Sequence, residues 1–157
     1  MADGQMGIHA REKRVVLGLD PGRDKTGFAF VDEDGGLLAS GIFPTNEQER
    51  FFEKILAGYD GLAESRIIFV AVGDGTHSKE FTERVRAALP YEIMTVDERN
   101  STLEARSLYW KVHTPSIWVR LLPEGMRVPG GAIDDMAAWA IALRGLKKYR
   151  DIRRNRL

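Results

Sequence analysis

The sequence predicts a mixed α/β fold, with one five-stranded sheet that carries helices on both faces. Residues 14–43 contain three strand-like apolar runs that are joined by short turns. Two further apolar runs, at 67–72 and 92–96, each follow a segment whose apolar residues repeat at helical spacing. Strands that are reached through helical crossovers lie parallel to the first strand. We therefore expect three antiparallel strands followed by two parallel ones.

The composition is that of one ordinary globular domain. The chain has 157 residues, 43% of them apolar and 29% charged, which suits one domain with a full core. It has no cysteine, which excludes disulfides, thiolate nucleophiles and cysteine-based zinc sites. The 23 basic and 23 acidic residues balance, so indiscriminate coating of nucleic acid is not expected. The apolar run 67–72 is too short to span a membrane.

The two ends of the chain differ from the middle. Residues 1–13 are polar and lack the apolar core of a signal peptide, so we expect a flexible arm on a cytoplasmic protein. The domain should span 14–150, with a basic tail at 151–157. The basic run near this end is either a solvated helix end or a phosphate-binding tail. It consists of Lys147, Lys148, Arg150, Arg153, Arg154 and Arg156.

The first three strands are expected at 14–20, 26–32 and 37–43. The sequence Asp34-Gly35-Gly36 between the second and third is a hairpin-turn signal. The first strand stops abruptly at Asp20, before a Pro-Gly turn. Its side chain can therefore face a site while its backbone stays in the sheet.

Two helices are expected before the last strand. Thr45, with Gln48 three residues on, has the pattern of a capping box and predicts a helix over about 46–57. Residues 79–89 form an amphipathic pattern that ends before a proline.

The last third of the chain is predicted to be helical at its two ends. Ser101 and Glu104 form a second capping-box pattern, which starts a helix to about residue 111. The segment 112–131 is irregular and rich in proline and glycine, and an insertion of this length is usually functional or mobile. An alanine-rich helix follows at 133–148.

Acidic residues follow the first, fourth and fifth strands and open the last helix. Ligands of open α/β sheets bind outside the carboxyl ends of the strands, so these acids should share one edge. Two carboxylates about 4 Å apart repel by roughly 4 kcal/mol at an effective dielectric of 20, which a cation, a proton or a function must offset. Oxygen ligands alone favour Mg²⁺ or Mn²⁺. The acids are Asp20, Asp74, Asp97, Glu98, Asp134 and Asp135.

Helix geometry favours Asp134 over Asp135 as the acid that faces the strand ends, without excluding Asp135. Asp134 continues into a stripe of small apolar residues, which lets a helix approach a sheet closely. The stripe from Asp135 is also apolar. The first stripe consists of Ala137, Ala138, Ile141 and Ala142.

Several of these segments resemble one known family. Residues 17–22, Leu-Gly-Leu-Asp-Pro-Gly, with Thr26-Gly27, are similar to the first motif of RuvC-type resolvases. Residues 96–105 resemble the strand-five motif of the RuvX/YqgF family of Holliday-junction-resolvase-like proteins. Residues 133–138 resemble the closing acidic helix of that family. The resemblance covers about 14–145.

The resemblance implies an RNase H-like fold and a metal-dependent nuclease site that uses Mg²⁺ or Mn²⁺. By position, the catalytic and metal-binding acids would be Asp20, Glu98 and Asp134. Asp74, Asp97 and Asp135 are further candidates. The sequence departs from the family at Asp74-Gly75, where Leu-Pro is usual, and at Asn100, where an apolar residue is usual. The segment 112–131 also does not follow the usual spacing of the family.

The implied substrate is structured nucleic acid, either branched DNA or precursor ribosomal RNA. Basic and aromatic residues near the edge are candidate nucleic-acid contacts, although the basic ones can instead pair with neighbouring acids. These candidates are Arg23, Lys25, Lys79, Arg99, Arg106, Trp118 and Arg120.

Two other functions remain open. The chain can be a catalytically inactive nucleic-acid or ribosome-assembly binding module with the same fold. Alternatively, it can be a nucleotide-binding protein of actin/Hsp70-like ancestry, because Asp20-Pro21-Gly22 is similar to the phosphate hairpin of those ATPases. Pairing of two copies as a homodimer is also open.

Overall fold

The computed structural model describes residues 13–59, 62, 65–99 and 134–156. The predicted helix at 101–111 and the irregular segment 112–131 lie outside the described residues. Among the described residues no helix is long and apolar enough to cross a membrane. The elements are β1 (Lys13–Pro21), β2 (Lys25–Asp32), β3 (Leu37–Pro44), the 3₁₀ turn η1 (Thr45–Glu47), α1 (Gln48–Leu56), β4 (Ser65–Gly73), α2 (Ser78–Ala88), β5 (Ile93–Val96) and α3 (Asp134–Arg154).

The five strands form one mixed sheet in the order β3-β2-β1-β4-β5. The hairpin pairs β1–β2 and β2–β3 are antiparallel, whereas β4 lies parallel to β1 and β5 parallel to β4. Leu19 is paired with Val72, and Gly73 with Val96. The carboxyl ends of β1, β4 and β5 therefore lie at one edge, which confirms the predicted architecture.

Helices cover both faces of the sheet, as predicted. Leu17 and Leu19 of β1 belong to the apolar core under α1 and α2. Val16 belongs to the core under α3. Successive side chains of a strand point to opposite faces, so each residue of β1 is assigned to one helical layer.

Helix α3 lies very close to β1. A Cβ atom built on Gly18 would lie 2.2 Å from the carbonyl oxygen of Ala138 and 2.8 Å from the Cβ of Ala142. The stripe of small residues is therefore in contact with the sheet, as predicted. Trp139 is buried and donates its indole N–H to the Gly35 carbonyl at 3.1 Å. The helix continues to Arg154, beyond the predicted end at residue 148.

The predicted capping box at Thr45 and Gln48 is wrong. Thr45 begins the 3₁₀ turn η1, and α1 begins at Gln48 with no side-chain hydrogen bond to its N-cap. The Thr45 hydroxyl instead donates to the Gly22 carbonyl at 2.9 Å and lies 2.9 Å from the Thr26 hydroxyl. Tertiary hydrogen bonds to the β1–β2 turn thus replace the local cap.

Candidate functional site

Asp20 lies near the end of β1 and faces the α3 layer. It is paired with Gly27 of β2 and is partly buried. Because Val16 packs under α3 and the strand alternates, Gly18 and Asp20 are directed to the same face. The sheet therefore holds the Asp20 backbone rigidly, at the edge where β1 and β4 end.

Glu98 reaches the same face from the end of β5. A Cβ atom on Gly73 would lie 2.7 Å from Glu98 Oε2 and 2.8 Å from Cδ1 of Ile141 in α3. A Cβ atom on Gly75 would lie only 1.9 Å from Glu98 Oε1. The carboxylate thus lies against the end of β4, in space that is available only because both residues are glycine.

The loop after β4 also holds the backbone around Glu98. The Asp74 N–H donates to the Val96 carbonyl at 3.0 Å. The Asp74 carboxylate accepts a hydrogen bond from the Glu98 N–H at 3.2 Å. We call Gly73-Asp74-Gly75 the glycine cradle, because it positions both the backbone and the carboxylate of Glu98.

The surroundings of Glu98 are electrostatically unfavourable to its charge. Burial raises the pKa of Glu98, and the negative charge of Asp74 raises it further, although a hydrogen bond from the Gly75 backbone opposes the shift. A carboxylate in such surroundings is stabilised by a nearby cation or by binding a proton. The site therefore favours a bound positive charge.

Helix α3 brings its N-terminus to the same edge. Gly145 packs on Phe69, whereas Ile141, one turn earlier in the helix, packs near Gly73 at the end of β4. Helix α3 therefore runs antiparallel to β4, and its first residue, Asp134, lies beyond the carboxyl end of β4. The side chains of Asp134 and Asp135 lie outside the described residues, and the choice between them stays a prediction.

Asp97 takes part in a different arrangement. Its carboxylate pairs with the Arg99 guanidinium at 2.7 Å, and the same guanidinium lowers the pKa of Asp97. Both residues line a separate groove of about 490 Å³ with Arg144 and Lys148. Arg144 donates to the Asp97 carbonyl and Lys148 to the Thr95 carbonyl. Side chains of α3 thus provide hydrogen-bond donors to backbone carbonyl groups at the end of β5. Arg99 is thus engaged with an acid, one of the two roles foreseen for it.

The remaining basic candidates divide into two groups. Arg23, Lys25 and Lys79 are exposed near the carboxyl edge. Arg106, Trp118 and Arg120 lie outside the described residues. Within the described part of the chain, no group of three or more histidine, cysteine, aspartate or glutamate side chains is arranged to hold a metal ion.

Sequence reasoning missed the role of the glycines. The sequence of residues 73–75 predicts only a loop, whereas the structure makes it the support of Glu98. The available signal was the presence of two glycines at the end of a buried strand, where a backbone often approaches another group closely. That signal does not identify the approaching group.

The comparisons with known proteins agree with this fold. Residues 14–111 match the family model of the Tex protein YqgF-like domain. The chain belongs to this family. The match confirms the resemblance to the YqgF family. The comparison with curated proteins gave no match.

The solved structure of the fowlpox virus resolvase, in complex with Holliday junction DNA, matches 86% of this chain and 98% of that one, with a TM-score of 0.51 and 9% identity. This likeness shows a shared RNase H-like fold.

Two larger proteins of the ROK family match less well. A glucokinase from Streptomyces griseus, solved with glucose and AMPPNP, matches 59% of this chain with 19% identity and a TM-score of 0.40. A transcriptional regulator homologous to the E. coli MLC protein matches 64% of this chain with 13% identity and a TM-score of 0.43. The chain spans 36% and 31% of the lengths of these proteins, and the likeness is too weak to support a functional conclusion.

Proposed function

We propose that this YqgF-like domain is a metal-dependent nuclease that hydrolyses phosphodiester bonds in structured nucleic acid, either branched DNA or precursor ribosomal RNA, in the cytoplasm. The proposal is supported by the sheet edge at which β1, β4 and β5 end, with Asp20 near the end of β1 and Glu98 against the end of β4. The resolvase that shares the fold was solved with a Holliday junction, which supports nucleic acid as the partner.

The residues fit a hard divalent cation. Asp20 and Glu98 offer carboxylate oxygens on one face, and the pKa of Glu98 is raised first by burial and then by the charge of Asp74, two effects that a bound cation would offset. Asp134, or Asp135 in its place, would complete the set. A bound Mg²⁺ or Mn²⁺ supplies charge stabilisation at the phosphate and an activated water.

The protein itself contributes rigid placement. Asp20 is held within the sheet, and the glycine cradle at the end of β4 positions the Glu98 carboxylate. Arg23, Lys25 and Lys79 lie near this edge and would attract phosphates. No protein nucleophile is needed, because the attacking group is water.

The test is cleavage of a panel of substrates that includes a four-way DNA junction, a linear duplex and a structured RNA, each with Mn²⁺. Asp20→Asn should lower cleavage at least about 100-fold, because it removes a negative charge that would hold the metal ion. The melting temperature should be retained, because asparagine has nearly the same size as aspartate and opens no cavity. Asp97→Asn is the matched control, since it removes an acid that lies in the separate groove. Wild-type rates for purified Asp20→Asn would refute the assignment.

Thermal melting separates the nuclease from an inactive binding module. A ligand at a hundredfold excess over its Kd stabilises the folded state by about 2.7 kcal/mol. We expect Mn²⁺ to raise the melting temperature of the wild-type protein and to have a smaller effect on Asp20→Asn. Nucleic-acid binding with neither a Mn²⁺ shift nor cleavage would identify the binding module.

A further inference from the structure

A second groove lies at the same edge of the sheet, on the face opposite Glu98. It has a volume of about 680 Å³ and lies between the β1–β2 turn, η1 and the start of α2. Pro21 lines it and is the neighbour of Asp20, so the acidic site and this groove are adjacent along the chain. We call it the turn groove. The residues of its wall that matter here are Gly22, Arg23, Thr45, Gln48, His77 and Lys79.

The turn groove has positive charge that the described residues leave uncompensated. Arg23 and Lys79 are exposed, and neither forms an ion pair with a described residue. Arg84, by contrast, pairs with Glu80 at 2.9 Å. Glu83 also lines the groove and would repel an anion. An anion would therefore be attracted to the end of the groove that holds Arg23 and Lys79.

The start of α2 adds partial positive charge at that end. The helix begins at Ser78 and extends over 11 residues, and its N-cap, His77, makes no side-chain cap hydrogen bond. The Ser78 N–H already donates to the Gly75 carbonyl at 3.0 Å, so the N–H groups of the following residues in the first turn are the ones that would point toward an approaching anion. Lys79 lies in the same first turn.

An independent observation comes from Gln48. Its side chain lines the groove and is only 5% exposed, yet its Oε1 has no hydrogen-bond partner among the described residues. Buried polar atoms are nearly always paired in folded proteins, so an unpaired one indicates a missing partner. The unpaired oxygen is an acceptor and a phosphodiester has no proton to donate, so the Gln48 carboxamide would have to turn by half a rotation, which presents its N–H donors to a phosphate oxygen.

The wall beside Gln48 is preorganised. The Thr45 hydroxyl donates to the Gly22 carbonyl, and the Thr45 N–H donates to the Asp24 carbonyl, both at 2.9 Å. A Cβ atom on Gly22 would lie 2.5 Å from the Lys25 carbonyl oxygen. The turn is thus held in one conformation, and a ligand would not have to order it.

We propose that the turn groove binds a backbone phosphate of the nucleic acid, near the phosphate that is cleaved at Asp20, through Arg23, Lys79, Gln48 and the start of α2. The identity of the ligand rests on the proposed nuclease function. The groove would hold the strand across the edge of the sheet and thereby set its register at the acids.

The test is binding of a labelled junction and of a labelled structured RNA to the full chain in EDTA, measured as fluorescence anisotropy against salt. Each lost phosphate contact lowers the slope of log K against log salt by about 0.7–0.9. We expect this loss for Lys79→Gln and for Arg23→Gln. Arg86→Gln is the matched control, because Arg86 is exposed on the same helix and does not line the groove.

Gln48→Met separates a binding role from a structural one. Removal of an unpaired buried oxygen should raise the melting temperature, whereas loss of the carboxamide should weaken binding at least about threefold. A lower melting temperature with unchanged binding would overturn the role of Gln48. A mononucleotide that loses affinity for Lys79→Gln while strand binding is unchanged would overturn the assignment to backbone phosphate.

Equal slopes for Lys79→Gln, Arg23→Gln and Arg86→Gln would overturn the groove proposal as a whole, as would absence of strand binding by the wild-type protein. Neither result depends on cleavage, which is read separately with Mn²⁺ and Asp20→Asn. The two proposals can therefore fail independently.

Discussion

Gly75→Ala tests whether the position of the Glu98 carboxylate matters for cleavage. The new Cβ would lie 1.9 Å from Glu98 Oε1, 2.6 Å from Cδ and 2.9 Å from Oε2. Ordinary contact begins near 3.4 Å, so the carboxylate must move by about 1.5 Å. A displacement of about 1 Å in a catalytic group costs roughly 100-fold in rate, and we expect Mn²⁺-dependent cleavage to fall by at least that factor.

The same substitution should leave the fold almost unchanged. Positive φ angles among the described glycines occur at Gly35 and Gly58, so alanine at position 75 adopts its backbone angles without strain. The atoms that must move are the end of one side chain, and alanine lowers the entropy of the unfolded chain. We expect the melting temperature without metal to change by no more than about 2 °C, a shift that corresponds to roughly 0.5–1 kcal/mol.

The assay pairs cleavage rate with the Mn²⁺-induced rise in melting temperature, and both should fall in Gly75→Ala. Gly145→Ala is the opposite control, because its Cβ would lie 2.8 Å from the Cβ of Ala71 and 2.9 Å from the Phe69 ring, away from Glu98. Gly145→Ala should lower the melting temperature of the metal-free protein. Mn²⁺ should still raise the melting temperature of this variant by about as much as that of the wild-type protein. Full cleavage by Gly75→Ala would refute the claim that the glycine cradle sets the catalytic geometry.

Three further outcomes are expected. Gly18→Ala should destabilise the protein by about 2 kcal/mol or more in urea unfolding, because its Cβ would meet the backbone oxygen of Ala138 at 2.2 Å; an unchanged midpoint would show that α3 can move away from β1 without cost. Asp74→Ala should lower cleavage about tenfold by removing the acceptor of the Glu98 N–H, whereas Asp74→Asn, which keeps an acceptor oxygen, should retain most activity; equal rates in the two variants would contradict this role. The pKa of Glu98 is raised by burial and by Asp74, so the folded state takes up a proton more readily than the unfolded chain and the metal-free protein should gain stability as pH falls from neutrality toward the ordinary glutamate range. Glu98→Gln should abolish that gain in pH-dependent melting, and a profile identical to wild type would exclude Glu98 as its source.

Local patterns in the sequence were sufficient to predict the strands and α-helices that the structure describes. The spacing of apolar residues, the Asp-Gly-Gly turn and the run that stops at Asp20 depend only on neighbouring residues. The order of parallel and antiparallel strands followed from general rules of chain connection, and the sheet confirms it. The small residues of α3 likewise predicted its close approach to β1, which the structure shows at Gly18.

Local sequence patterns predicted the candidate site only in part. Asp97 and Glu98 are adjacent in sequence, and no periodic pattern distinguishes them beyond the end of β5. In the structure Asp97 pairs with Arg99, whereas Glu98 lies on the glycine cradle. Thr45 shows the same limit, because its predicted cap was replaced by a bond to Gly22.

By itself, the sequence determined the elements, the topology and the placement of Asp20 at the end of a strand, because these depend on local periodicity and on connection rules. Only the tertiary structure decided which partner each polar group has. Glu98 meets Gly75, Thr45 meets Gly22, and Gln48 reaches the wall of the turn groove through contacts between segments that are distant in the chain. Such contacts form when the sheet and helices pack, so no short stretch of sequence specifies them.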